Sequence, residues 1–246
     1  MDPSMIGERH IRTAPSAFTL LVGVLIAMAG CEARQESRAP AGGPAQPASL
    51  DAARDARQTG RPRVVALGDS ITAGLGLIAE EAYPALLQQR LDAKGYAFEV
   101  VNAGVSGDTT AGGLRRLDWA LDGDVRILIV ALGGNDGLRG LPVEGMRHNL
   151  AEVIRRAQIR HVAVLLVGIE APPNFGESYT SAFRQTFRDL AREYRVAFVP
   201  FLLSGVAGMP QLNQRDGIHP TAAGALIVAN TIWTALEPML TSVRAS

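Results

Sequence analysis

The chain is predicted to be α/β: a three-layer sandwich in which a five-stranded, mainly parallel sheet lies between helices. Three observations predict it. Short apolar runs recur at Val64–Leu67, Phe98–Val101, Ile127–Leu132, Val162–Val167 and Val196–Phe201. Most are continuous in Val, Ile and Leu rather than alternating, as strands buried on both faces must be. Longer amphipathic segments separate them, and strand–helix alternation repeated five times is the pattern of helices covering a parallel sheet.

The helices are expected at about Glu80–Lys94, Thr110–Leu121, Val143–Gln158, Ser178–Tyr194 and Thr221–Leu240. The third shows the pattern well. Met146, Leu150, Val153, Ile154 and Ala157 recur at helical spacing, while Arg147, His148 and Arg155 fall elsewhere on the segment. The 246 residues leave room for one substantial domain with appendages, placed at residues 62–246. No internal repeat and no second domain is visible.

The amino-terminal sixty residues read differently. Arg9 and Arg12 precede an uncharged run from Ala17 to Gly30, shorter than the roughly 20 residues a spanning helix needs. A basic flank, an apolar stretch of this length and small residues before a break are the marks of a secretory signal peptide. Met28-Ala29-Gly30-Cys31 resembles a bacterial lipobox, with Met28 where Leu is usual. Residues 1–31 are therefore expected to be a lipoprotein signal whose Cys31 is lipidated. The alternative is ordinary cleavage and a soluble exported protein. Residues 32–61, rich in Ala, Pro, Gly and Arg, hold too little apolar surface to offset ordering and read as a flexible tether. The expected location is a membrane-anchored lipoprotein facing the periplasm, or a soluble periplasmic or secreted protein if the lipobox is unused.

Composition excludes several classes. Lys+Arg and Asp+Glu both number 24, so nothing points to nucleic acid. Cys31 is the only cysteine, which rules out an intrachain disulfide and a cysteine-rich metal site. No His or Cys pair has metal-ligand spacing, so neither metal nor cofactor is expected. A dinucleotide fold would carry Gly-x-Gly-x-x-Gly at the first strand–helix turn, and a P-loop Gly-Lys-Ser/Thr; both are missing. An α/β-hydrolase would place its serine in Gly-x-Ser-x-Gly, which Ser70 does not have. A monomer is expected.

The chemistry lies where the strands end. The first ends in Gly68-Asp69-Ser70, the second in VNAGVSGDTT from Val101 to Thr110, and the third in Gly133-Gly134-Asn135-Asp136. Asp216-Gly217-Ile218-His219-Pro220 leads into the last helix. Ligands of an open parallel sheet bind outside the carboxyl ends of its strands, so these four distant segments should converge on one edge.

In these four blocks the chain resembles the SGNH (GDSL-type) hydrolases, with Ser70, Gly107, Asn135 and His219 matching the four named positions. VSGDT and GGNDGLRG resemble the branch of bacterial thioesterase I, arylesterases and lysophospholipases, and the resemblance runs from Arg63 to Leu240. It implies a flavodoxin-like sheet and a serine esterase acting on aryl esters, acyl thioesters or lysophospholipids. The residues make that chemistry intelligible. A serine hydroxyl needs a neighbouring base, and histidine, with a reference pKa of about 6.5, can be one near neutrality. Asp216, three residues before His219, can orient the imidazole and stabilise the imidazolium. Ser70 N–H, Gly107 N–H and the Asn135 amide are candidate oxyanion donors.

Other polar residues have plainer readings. Asp69 and Asp136 are expected to satisfy local N–H groups in their loops, and Asp108 to cap the second helix. His10 falls in the signal segment, and His148 and His161 read as surface or structural residues. The loops Gly137–Pro142 and Glu170–Glu177 should flank the substrate groove. Two competing functions are a carbohydrate O-deacetylase, which would want a shallow polar cleft, and a non-catalytic lipoprotein binding module.

Overall fold

All five predicted strands form, and every pairing between them is parallel. They are β1 Arg63–Gly68, β2 Glu99–Gly104, β3 Val125–Ala131, β4 Ala163–Val167 and β5 Ala197–Val199. Their order across the sheet is β2-β1-β3-β4-β5. This is the flavodoxin-like winding, with its switch point where β1 and β3 adjoin. In this computed structural model residues 60–244 are described; the signal, most of the tether and Cys31 lie outside the described residues.

Because side chains alternate across a strand, each apolar run feeds two cores. Val65 and Leu67 of β1, Leu128 and Val130 of β3, and Val164 and Leu166 of β4 face one layer. There they meet α6 (Val143–Ile159) and α7 (Glu177–Tyr194) through Leu150, Val153, Ile154, Phe183, Phe187 and Leu190. Val64, Ala66, Ile127, Ile129, Leu165 and Val167 face the other layer. They pack on α2 (Tyr83–Ala93) and α8 (Ala222–Arg244) through Leu87, Leu91, Val228, Ile232 and Leu236. Burial on both faces explains why the runs are continuous.

The helices differ from expectation at several points. The first helix begins only at Tyr83, with Pro84 in its first turn, because a separate 3-10 turn occupies Ala79–Glu81. The segment expected as one helix from Thr110 is two short ones, α3 (Thr110–Arg115) and α4 (Leu117–Ala120), broken at Arg116. Short helices α1 (Ser70–Ala73) and α5 (Gly134–Leu138) follow β1 and β3 directly. His161, exposed and at φ 58°, closes α6 ahead of β4, its N–H donating to Gln158 O and that of Val162 to Ala157 O.

Candidate active site

The four polar loops do converge at the carboxyl edge of the sheet. Ser70 opens α1, and Asp69 caps that helix, Oδ1 accepting the Ile71 N–H at 3.1 Å. His219 arrives on a separate loop whose shape is set locally. The Asp216 carboxylate accepts from Ile218 N at 2.9 Å and His219 N at 3.0 Å through Oδ1. Its other oxygen, Oδ2, stands 2.6 Å from His219 Nδ1, and His219 Nε2 stands 2.8 Å from Ser70 Oγ. The three predicted triad residues are thus in one line of contacts.

Electrostatics fix the direction of that line. The hydrogen bond from the imidazole, helped by the two backbone N–H groups, holds the Asp216 carboxyl well below the usual range, at about 2. An ionised carboxylate only accepts, so Nδ1 must carry the ring proton, and neutral imidazole then offers Nε2 as the acceptor for Ser70 Oγ–H.

The loop is held against the segment that carries Ser70 by Gln214, a residue sequence reasoning missed. Its Nε2 donates to Leu75 O at 2.7 Å, just beyond α1, and to Pro220 O at 3.0 Å. Its backbone N–H donates to His219 O at 2.7 Å. These acceptors are backbone carbonyls, which leave no signature in the sequence.

The second block forms a tight turn in which Asp108 N–H donates to Val105 O at 3.1 Å. Gly107 sits in the third place of that turn with φ 83°, a conformation that favours glycine. Its carbonyl accepts from Arg139 Nη2 at 2.8 Å. Asn135, in the first turn of α5, donates from Nδ2 to Asp108 O at 2.9 Å. A primary amide has two N–H groups, so this bond orients the side chain and leaves one donor free.

Two expectations about acids need correcting. Asp108 does not cap the second helix: Thr109 is the cap, its Oγ1 accepting from Gly112 N, while the Asp108 carboxylate pairs with Arg116 Nε at 2.6 Å. Asp136 does not serve its own loop. Buried, it accepts Thr110 N–H at 2.8 Å and Thr110 Oγ–H at 2.6 Å, so it bolts the third block to the second. Asp69 is the local cap expected, but it is also 5 % exposed. Burial pushes its carboxyl up to about 6 against the opposing pull of the Ile71 N–H and His219.

Beside these groups runs an open groove of about 490 Å³. Leu75, Leu138, Ile169, Pro172, Phe201 and Ile218 are among the residues of its apolar wall. Both predicted flanking loops contribute, through Leu138 and through Glu170–Pro173. No group of three or more His, Cys, Asp or Glu suited to a metal ion occurs among the described residues.

Residues 66–227 match the GDSL-like Lipase/Acylhydrolase family. Esterase TesA of Pseudomonas aeruginosa is 42% identical over 185 residues, 75% of this chain and 92% of that protein. Thioesterase 1/protease 1/lysophospholipase L1 of Escherichia coli is 37% identical over 175 residues, covering 71% of this chain and 83% of its own length. The crystal structure of psychrotrophic esterase EstA from Pseudoalteromonas sp., inhibited by monoethylphosphonate, has a TM-score of 0.69. It shares 32% identity across 73% of this chain and 98% of that one.

Proposed function

Because the chain belongs to the GDSL-like lipase/acylhydrolase family and hydrolyses esters, we propose that it works through an acyl-enzyme on Ser70. The observation that carries the reading is the relay from Asp216 Oδ2 to His219 Nδ1 and from Nε2 to Ser70 Oγ, at 2.6 and 2.8 Å. His219 Nε2 takes the Ser70 proton as Oγ bonds to the acyl carbon, and the carbonyl electron pair moves onto oxygen. Ser70 N–H, Gly107 N–H and the free N–H of Asn135 stabilise that oxyanion. Its collapse breaks the bond to the alcohol or thiol, which leaves with the proton from His219. Water then attacks the acyl-serine by the same route.

The substrates proposed are acyl thioesters, aryl esters or lysophospholipids. The apolar groove favours an acyl chain over the polar sugar surface an O-deacetylase would need. We propose further that the protein is exported and held to a membrane through lipidated Cys31. Cys31→Ser should then abolish incorporation of labelled fatty acid and release the protein from the membrane fraction; no label in the wild type would end that part.

The acyl-enzyme is tested with a fluorophosphonate probe and a nitrophenyl acyl ester. Wild type should be labelled and should show a burst of nitrophenol when deacylation is slower than acylation. Ser70→Ala should do neither. Labelling of Ser70→Ala at the wild-type rate would place the nucleophile elsewhere.

A further inference from the structure

Arg116 lies outside the groove, at the break between α3 and α4, and none of the four sequence blocks contains it. Its guanidinium makes three separate bonds. Nε donates to Asp108 Oδ2 at 2.6 Å, Nη1 to Ala103 O at 2.6 Å, and Nη2 to Gly68 O at 2.8 Å. Both Arg116 and Asp108 are largely buried, at 18% and 17% side-chain exposure, so the ion pair is only weakly screened.

Each acceptor belongs to a segment that carries part of the reaction. Gly68 is the last residue of β1, two before Ser70. Ala103 stands near the end of β2, four before Gly107. Asp108 follows Gly107 directly, and its carbonyl is the one that orients Asn135 Nδ2. From these contacts we infer that Arg116 is a positioning residue for the reaction: its guanidinium fixes the nucleophile segment and both outlying oxyanion donors against one another.

The site is built around that contact. Gly112 has no side chain where a Cβ would stand 2.4 Å from Asp108 Oδ1, so any larger residue there would displace the carboxylate. Gly68 O also accepts Val105 N–H at 3.1 Å, which joins the ends of the two strands a second time. A lysine cannot replace the guanidinium. Three acceptors in different directions suit a planar fork with five N–H donors, whereas a single ammonium is a point donor. Where three oxyanion donors must meet one developing charge, a displacement of about 1 Å costs roughly a hundredfold in rate.

The inference rests on the oxyanion reading above, and the test separates the two. Arg116→Ala, Arg116→Lys, Asn135→Ala and the double variant Arg116→Ala/Asn135→Ala are compared in the full chain for kcat, KM, melting temperature and fluorophosphonate labelling. Arg116→Ala should stay folded, lose roughly ten- to a hundredfold in kcat with little change in KM, and label slowly. Arg116→Lys should fall between it and wild type. Ethylguanidine, added well below denaturing concentrations, should restore part of the lost kcat. The double variant should lose less than the product of the single losses, because part of the Arg116 effect passes through the Asn135 donor.

Near-wild-type kcat in folded Arg116→Ala overturns the inference. So does a loss that merely follows the unfolded fraction and resists ethylguanidine, or one that multiplies independently with Asn135→Ala. If Arg116→Ala fails to fold, Asp108→Asn removes only the ion pair and keeps the carbonyl that holds Asn135. It should then lower kcat in the same sense, and an unchanged kcat there overturns the inference equally. A silent Asn135→Ala sinks the oxyanion assignment instead, and Arg116 is then judged on its labelling rate at Ser70.

Discussion

Asp216 and Asp69 both feel the charge of His219, yet their surroundings drive them in opposite directions. Asp216, hydrogen-bonded by the imidazole and two backbone N–H groups, is lowered to about 2 and is ionised near neutral pH. Asp69, desolvated by burial, titrates near 6. Its folded pKa therefore lies above the ordinary 3.8, so the folded state binds this proton more tightly than the unfolded chain does. Stability from this group is fully present below pH 3.8 and is lost as pH rises through about 6. Asp69→Asn keeps an acceptor for Ile71 N–H and removes that loss. It should be the more stable protein at pH 8, by on the order of 1–3 kcal/mol, with the advantage shrinking toward pH 4. Urea denaturation of both proteins across that range measures it, and a difference independent of pH would contradict it. Asn135 predicts a different kind of loss. Asn135→Ala leaves Ser70 and His219 in place and removes one of the three proposed oxyanion donors, a loss that typically costs a hundred- to a thousandfold in kcat, about 2.7–4 kcal/mol. It should still react with fluorophosphonate, only more slowly. Near-wild-type kcat in the folded variant would remove it from the oxyanion hole.

At the scale of elements, α6 shows how strongly one helix face is committed. Leu150 is fully buried against the sheet, and Leu150→Ala should cost about 2–5 kcal/mol in denaturant unfolding. Ile159 on the same helix is 62% exposed, and Ile159→Ala should change stability by no more than about 0.5 kcal/mol. Equal effects would mean that the layer assignment of α6 is wrong. That commitment is also why α6 and the strands were legible in the sequence: burial on one face or two writes a period into the residues themselves. The convergence of Ser70, Asp216 and His219 was legible because their blocks resemble those of the SGNH hydrolases and Asp216 lies three residues before His219. The α3–α4 break was not, since Arg116 turns toward carbonyls of Gly68 and Ala103 that any residue would provide. Gln214 escaped notice for the same reason. Asp136 was misread because its partner, Thr110, is 26 positions away and no local pattern records it.

For the whole molecule, parallel strands gather every reactive loop at one edge and open the groove there. An apolar wall predicts that kcat/KM rises with acyl chain length in a nitrophenyl ester series. Each methylene that the groove buries contributes about 0.8 kcal/mol, close to fourfold, until the groove is full. A flat series from acetate to octanoate would rule the groove out as the acyl site. The same geometry disposes of the opposite edge. β1 starts there at Arg63 and needs its 6 residues, about 20 Å, to reach the nucleophile loop. α8 leaves the histidine loop and runs back over 23 residues, about 34 Å, until Val243 lies beside Arg126, Val162 and Ala163 at the starts of β3 and β4. Both ends of the described fold therefore emerge behind the sheet. A resin or a fusion partner joined directly at either end of the described residues meets the edge opposite the groove, and the groove itself stays open to the medium that carries the substrate.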